Sequence, residues 1–75
     1  MKELVEFMAK NLVNDSSRVQ VRIMERPHVT VLRLRVAQED MGRVIGKGGR
    51  VANAMRALLN VAAAREGRRV ILDID

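Results

Sequence analysis

Gly46, Gly48 and Gly49 fill three of four consecutive positions around Lys47, and arginines stand on either side at Arg43 and Arg50. Glycine costs a helix roughly 0.5–1 kcal/mol relative to alanine, so three together between helix-forming stretches need a reason. A bare backbone supplies one. Without Cβ atoms the loop amides approach a ligand closely, and at the start of a following helix they meet the positive end of its dipole. Phosphates suit this chemistry, with Lys47 placed to neutralise them. A tight helix-to-helix turn would also use Gly46 and Gly49, so the tetrad alone does not separate the two readings.

Spacing removes the commoner nucleotide sites. A Walker-type loop needs glycine at the position of Met41 and serine or threonine at that of Gly48. The dinucleotide fingerprint, started at Gly46, needs glycine at Val51 and a preceding strand. Covalent and metal chemistry also lack their residues. There is no cysteine, and the single histidine, His28, sits beside Pro27 as an ordinary turn residue. No acid–base pair accompanies the loop, and no catalytic residue, metal or cofactor is expected.

The elements that would hold this loop follow from hydrophobic period. Leu4, Val5, Met8 and Leu12 predict an amphipathic helix over about 2–13, stopped by Asn14, Asp15, Ser16 and Ser17. From Arg18 the period becomes two, with Val19, Val21 and Ile23 facing one way and Arg18, Gln20 and Arg22 the other. Pro27 breaks that strand, and Val29–Val36 forms the second strand of a hairpin, with Leu32, Leu34 and Val36 inward and Arg33 and Arg35 on a solvated face. Met41, Val44 and Ile45 then mark a short helix whose opening carries Glu39 and Asp40, favoured there by the helix dipole. A longer helix from Arg50 to about Arg65 has Val51, Met55, Leu58 and Ala62 as its central apolar line, widened by Ala54, Leu59 and Val61, with Met55 in the core. Gly67 stops it, and Val70, Leu72 and Ile74 alternate as the last strand. The order is α-β-β-α-α-β.

Size and charge bound what such a chain does. Seventy-five residues make a single domain with a modest core and no deep substrate cavity. Fourteen basic against nine acidic residues give +5, enough to draw in a polyanion. The excess is local: residues 1–40 hold seven basic and six acidic residues, whereas residues 41–65 hold Arg43, Lys47, Arg50, Arg56 and Arg65 with no acid. No apolar run of membrane-spanning length occurs, and Lys2, Glu3 and Glu6 break the pattern of an export signal. A cytoplasmic protein is expected, with neither a membrane nor a small-molecule substrate as partner.

The run Gly42-Arg43-Val44-Ile45-Gly46-Lys47-Gly48-Gly49-Arg50, set between two helices in this element order, resembles the signature of a type II KH domain, and the V-I-G-K-x-G-R stretch is similar to that of the small bacterial single-KH proteins of the KhpA family. The resemblance covers nearly the whole chain. It implies an α+β fold, a three-stranded sheet backed by three helices, and a groove for single-stranded RNA. Residue by residue, it implies that Gly46, Lys47, Gly48 and Gly49 meet the phosphates. Val44 and Ile45 floor the groove, Met41 and Val51 extend that floor, and Arg43 and Arg50 flank the backbone track. Val70, Ile71 and Leu72 form the opposite wall, whose backbone meets base edges. Arg68 and Arg69 occupy the family's variable loop, which is minimal here.

With Phe7 as the one aromatic residue, stacking of bases on aromatic rings is nearly absent, which implies weak binding with loose sequence preference. Weakness of that kind favours multivalency. Alanines 52, 54, 57, 62, 63 and 64 leave the long helix small and apolar beyond one stripe, which suits packing against a second copy. The resemblance implies a homodimer or a complex with the larger KH protein KhpB, a chaperone-like or post-transcriptional role, and a link to cell-wall growth and cell length. The competing reading is a protein-docking subunit with a vestigial groove.

Overall fold

The computed structural model describes all residues, 1–75. Helix α1 spans Lys2–Leu12 and buries Val5 and Ala9. It ends one residue before the expected Val13, which is already extended while its N–H still closes the last turn on Ala9 O at 3.1 Å. The first strand also starts later than the alternation predicts. Ser16–Arg18 forms one turn of 3-10 helix, and β1 runs Gln20–Glu25. The Ser17 hydroxyl donates to Asp15 Oδ1 at 2.5 Å, the local side-chain bonding by which serine and aspartate compete with a strand ladder.

Strand β2, Val29–Arg35, completes the antiparallel hairpin, with Val21 opposite Leu34 and Ile23 opposite Leu32. Its inward side chains Thr30, Leu32 and Leu34 are buried. Strand β3, Arg69–Ile74, pairs with β2 in parallel, so the sheet order is β1-β2-β3 and β3 has one open edge. A parallel pair needs a long crossover. Helix α2, Met41–Ile45, and helix α3, Arg50–Arg65, supply it. Val5, Ala9, Val44, Met55 and Leu59 from the three helices close over Val21, Leu32, Leu34 and Leu72 as one core. This is the α+β arrangement of a KH domain, with three helices on one face of a three-stranded mixed sheet.

Two expectations are corrected. The buried line of α3 is Ala52, Met55, Leu59 and Ala63, not the line centred on Val51, Leu58 and Ala62. Leu58 and Val61 are 55% and 60% exposed. Apolar residues surround more than half of this helix, so periodicity leaves its phase open, and the sheet selects the line whose alanines permit close approach. Asp40 also does not serve its own helix. It is buried, and its two carboxylate oxygens accept the backbone N–H groups of Asn14 and Asp15, each at 3.1 Å.

These bonds tie the exit of α1 to the entrance of α2 across 25 residues of chain. The N–H of Asp15, then that of Asn14, hold the Asp40 carboxyl below its ordinary value; burial opposes them, and the Arg43 guanidinium, 3.6 Å away, adds to the lowering. A depressed carboxyl stabilises the fold fully above its unfolded value, here 3.8, and loses that contribution as pH falls through its lower folded value. Thermal melts carried from neutral pH into acid are therefore expected to show the melting temperature dropping below about pH 4. Asp40→Asn, less stable at neutral pH, should show a shallower acid slope.

Candidate nucleic-acid interface

Helix α2 stops after five residues because Gly46 adopts φ 74°, ψ 171°, while its N–H closes on Gly42 O at 2.9 Å. Lys47–Gly49 then makes a single 3-10 turn, with Gly48 and Gly49 at φ 64° and 81°, and Gly49 caps the start of α3. The three glycines do different things. A Cβ on Gly46 would lie 2.5 Å from Val51 Cγ2 and 2.9 Å from the Val51 backbone nitrogen, so only a hydrogen fits there. At Gly48 a Cβ would meet nothing within 4 Å, and at Gly49 only Asn53 Nδ2 at 3.7 Å. Their requirement is left-handed backbone, not space. Gly48 faces the open.

Lys47 and Arg50 are exposed, and none of the chain's four ion pairs includes either. They flank the first amides of α3, a 16-residue helix whose dipole adds positive potential at this end. Arg43 lies on the same side but is paired with Asp40. Ile45 is 37% exposed beside the turn, with Met41 and Val51 half-buried. Val44 is a correction: it is fully buried in the core and supports the turn from beneath instead of flooring a groove. The set makes an open cationic turn with an aliphatic shoulder.

The second wall differs more from expectation. A cleft of about 180 Å³ separates α3 from β3, lined by Arg56, Leu59, Asn60, Val70, Ile71 and Leu72. Asp75 N–H reaches inward to Leu34 O, whereas Leu72 C=O accepts from Arg56 Nε and Nη2 at 3.2 and 3.1 Å. By the two-residue period of a strand, Val70 and Leu72 therefore turn their backbone groups toward the open edge. The Leu72 side chain is buried, and its carbonyl is already engaged.

Arg68 and Arg69 are not gathered with the turn, because α3 separates them from it by about 24 Å. The chain closes α3 with Gly67 N–H on Ala64 O and Arg68 N–H on Ala63 O, a Schellman pattern. The Arg68 guanidinium then bonds Thr30 Oγ1 at 3.1 Å and Arg26 O at 3.2 Å. Arg69 is exposed. No group of three histidine, cysteine, aspartate or glutamate side chains converges on a point that would hold a metal ion, and no helix is long and apolar enough to cross a membrane.

A family model described as the KH domain of KhpA and KhpB matches residues 2–74. The chain belongs to the KhpA/KhpB KH-domain family. Similar relatives include the RNA-binding protein KhpA of Borreliella burgdorferi, 46% identical over 96% of this chain and 88% of that one. The protein of the same name from Clostridium acetobutylicum is 46% identical over 99% of both chains, and that from Aquifex aeolicus is 40% identical over 99% of this chain and 94% of its own. Among solved structures, the Aquifex aeolicus Era Y63A variant bound to GDP·AlF4⁻ shares the fold with a TM-score of 0.64 at 21% identity, over 97% of this chain and 28% of that one.

Within this KhpA/KhpB-type domain, Arg56 is the site residue that sequence reasoning missed as a structural contact. The available signal was a cation four residues after Ala52 and three before Leu59, hence on the sheet-facing line of α3. Gly46→Ala is expected to lower unfolding free energy by about 2 kcal/mol or more, from the clash and the positive φ together. Urea titration measures it. Val51→Ala removes the nearest atom, Cγ2, but is not expected to rescue the variant fully, because the backbone nitrogen at 2.9 Å and Cβ at 3.0 Å stay in place and the φ stays positive.

Proposed function

We propose that residues 1–75 act as a single, non-catalytic KH domain that grips single-stranded RNA in the cytoplasm. The observation that carries this reading is the glycine turn: left-handed and open at Gly48, flanked by unpaired Lys47 and Arg50, and set on the positive end of α3. A phosphate backbone follows Gly46, Lys47, Gly48 and Gly49, Arg50 and Arg43 add charge at its sides, and bases rest against Ile45, Met41 and Val51. The free backbone groups of Val70 and the Leu72 N–H meet base edges, whereas the Ile71 side chain, expected in this wall, turns to the opposite face of the sheet. Arg68, engaged by Thr30 and Arg26, and Arg69, at the other end of α3, take no part in this track. The names of the relatives, RNA-binding protein KhpA, support the choice of ligand.

The family resemblance further supports a chaperone-like or post-transcriptional role in company with KhpB, and a connection to cell-wall growth and cell length. A groove without aromatic platforms binds weakly, and pairing compensates. The surface suited to pairing is apolar. Phe7, Met8, Leu12, Val51, Ala54 and Leu58 line an open groove of about 290 Å³ between α1 and α3, and Phe7 is 67% exposed. A second copy, or the KH domain of KhpB, covers this face at Phe7, Met8, Ala54 and Leu58, and Val51 at its edge stays with the RNA groove. The same exposed face is what favours the second reading, a docking subunit whose groove is idle.

Two measurements separate them. Lys47→Asp combined with Gly48→Asp places two carboxylates where phosphates would sit; affinity for a short oligouridylate is expected to fall by at least about tenfold, with a modest drop in melting temperature from the positive φ at Gly48, which Lys47→Asp alone should not show. The wild-type affinity should also fall with salt, at a slope of about 0.7 per phosphate engaged. Salt-independent binding overturns the RNA reading, and full retention in the double variant overturns the glycine turn as its site. Leu58→Asp with Val61→Asp is expected to convert a dimer to a monomer in sedimentation while leaving the turn intact. A wild-type chain that sediments as a monomer at tens of micromolar overturns the pairing.

A further inference from the structure

The face of the sheet turned away from the helices carries a feature that the groove does not use. On it Arg22 stands directly opposite Arg33, and Gln20 opposite Arg35, in the antiparallel register of β1 and β2. Like charges directly opposite on a sheet destabilise it, and the fold relieves only part of the conflict. Asp73 pairs with Arg33 at 3.4 Å and Asp75 with Arg35 at 3.7 Å. Arg22 is exposed and has no ion-pair partner. Each paired guanidinium still has donors to spare, since it carries five N–H groups.

The relief is shaped as well as charged. Gln20, Arg22, Arg33, Arg35 and Asp75 line a hollow of about 160 Å³ with no apolar residue in it. It is continuous with a larger one of about 640 Å³, which shares Gln20, Arg35 and Asp75 and adds Arg18. Four arginines against two aspartates thus form one track. Arg33 and Arg35 are two residues apart, about 7 Å, roughly twice the rise per nucleotide of a stacked strand. An extended chain of phosphates fits that spacing. Beside the charged rows lies an aliphatic one, because Met24 pairs with Val31 and Val31 with Ile71, which is 46% exposed.

We propose that the open sheet face is a second binding site for an RNA backbone, with the Arg22, Arg33 and Arg35 forks on the phosphates and bases lying over Met24, Val31 and Ile71. Guanidinium forks match phosphate oxygens two at a time, and the adjacent aliphatic row suits bases better than the carboxylates of an acidic peptide. The assignment of RNA rests on the reading of the glycine turn, but the site is separate from it. The Arg22, Arg33 and Arg35 rows and the glycine turn lie on opposite sides of the sheet, and only the far end of the larger hollow, at Val36 and Met41, approaches α2, so one domain has room for two strands at once.

The test uses the full chain and a short oligouridylate. The wild type is expected to bind two per chain by calorimetry, and the Lys47→Asp/Gly48→Asp variant one. Adding Arg22→Gln and Arg35→Gln to that variant should weaken the remaining site at least about tenfold, whereas Arg22→Lys, which keeps charge but loses the fork, should weaken it less. Arg22→Gln alone should leave the melting temperature unchanged or raised, because it removes the like-charge contact. If the turn variant binds no RNA, or if the arginine replacements change nothing, the sheet site is overturned and the groove reading stands. If the turn variant binds as the wild type does and only the arginine replacements abolish binding, the sheet site stands and the groove reading falls. Displacement of RNA from the sheet by oligoglutamate at equal concentration overturns the choice of ligand.

Discussion

The contact between Gly46 and Val51 governs the geometry of everything around it. Because the Val51 side chain occupies the space a Cβ would need, only glycine fits where α2 ends, and α3 begins after only four intervening residues. That close approach sets the angle between the two helices and leaves Gly48 at the outside of the bend. The open turn is thus a consequence of packing beneath it. Conformational freedom at Gly48 and Gly49 allows the bend, but the steric demand at Gly46 decides its shape.

A second constraint holds this corner to the rest of the fold. Helix α2 is too short to be stable by its own ladder, and it is held by Val44 in the core and by Asp40 at its entrance. Asp40 gathers two amides that the chain leaving α1 would otherwise bury unpaired. Both of its oxygens are used, and Arg43 closes the remaining side. The position of the cationic turn is in this way coupled to a helix at the other end of the sequence.

Much of this was legible from residue types in order. Strand alternation in Val29–Arg35, the change of period after Val36 and the glycine cluster each act locally, and the elements they imply are present with boundaries shifted by a residue or two. What was not legible depends on partners distant in sequence. Nothing near Asp40 reveals that its acceptors serve Asn14 and Asp15, and nothing near Arg68 reveals Thr30. The phase of α3 was hidden for a different reason. Its apolar residues are spread so widely that the choice between Leu58 and Leu59 as the inward side chain is made by the sheet, and the leftover residues become the exposed α1–α3 surface.

The clasp of Arg56 on Leu72 also bears on solubility. A border strand with unanswered carbonyls and amides is a template on which another molecule can extend the sheet. A guanidinium seated on the middle of β3 interrupts that template and places a positive charge along it, so stacking of one sheet onto the next through this border is disfavoured. The arginine thereby takes the Leu72 carbonyl out of that template while leaving the neighbouring Val70 free.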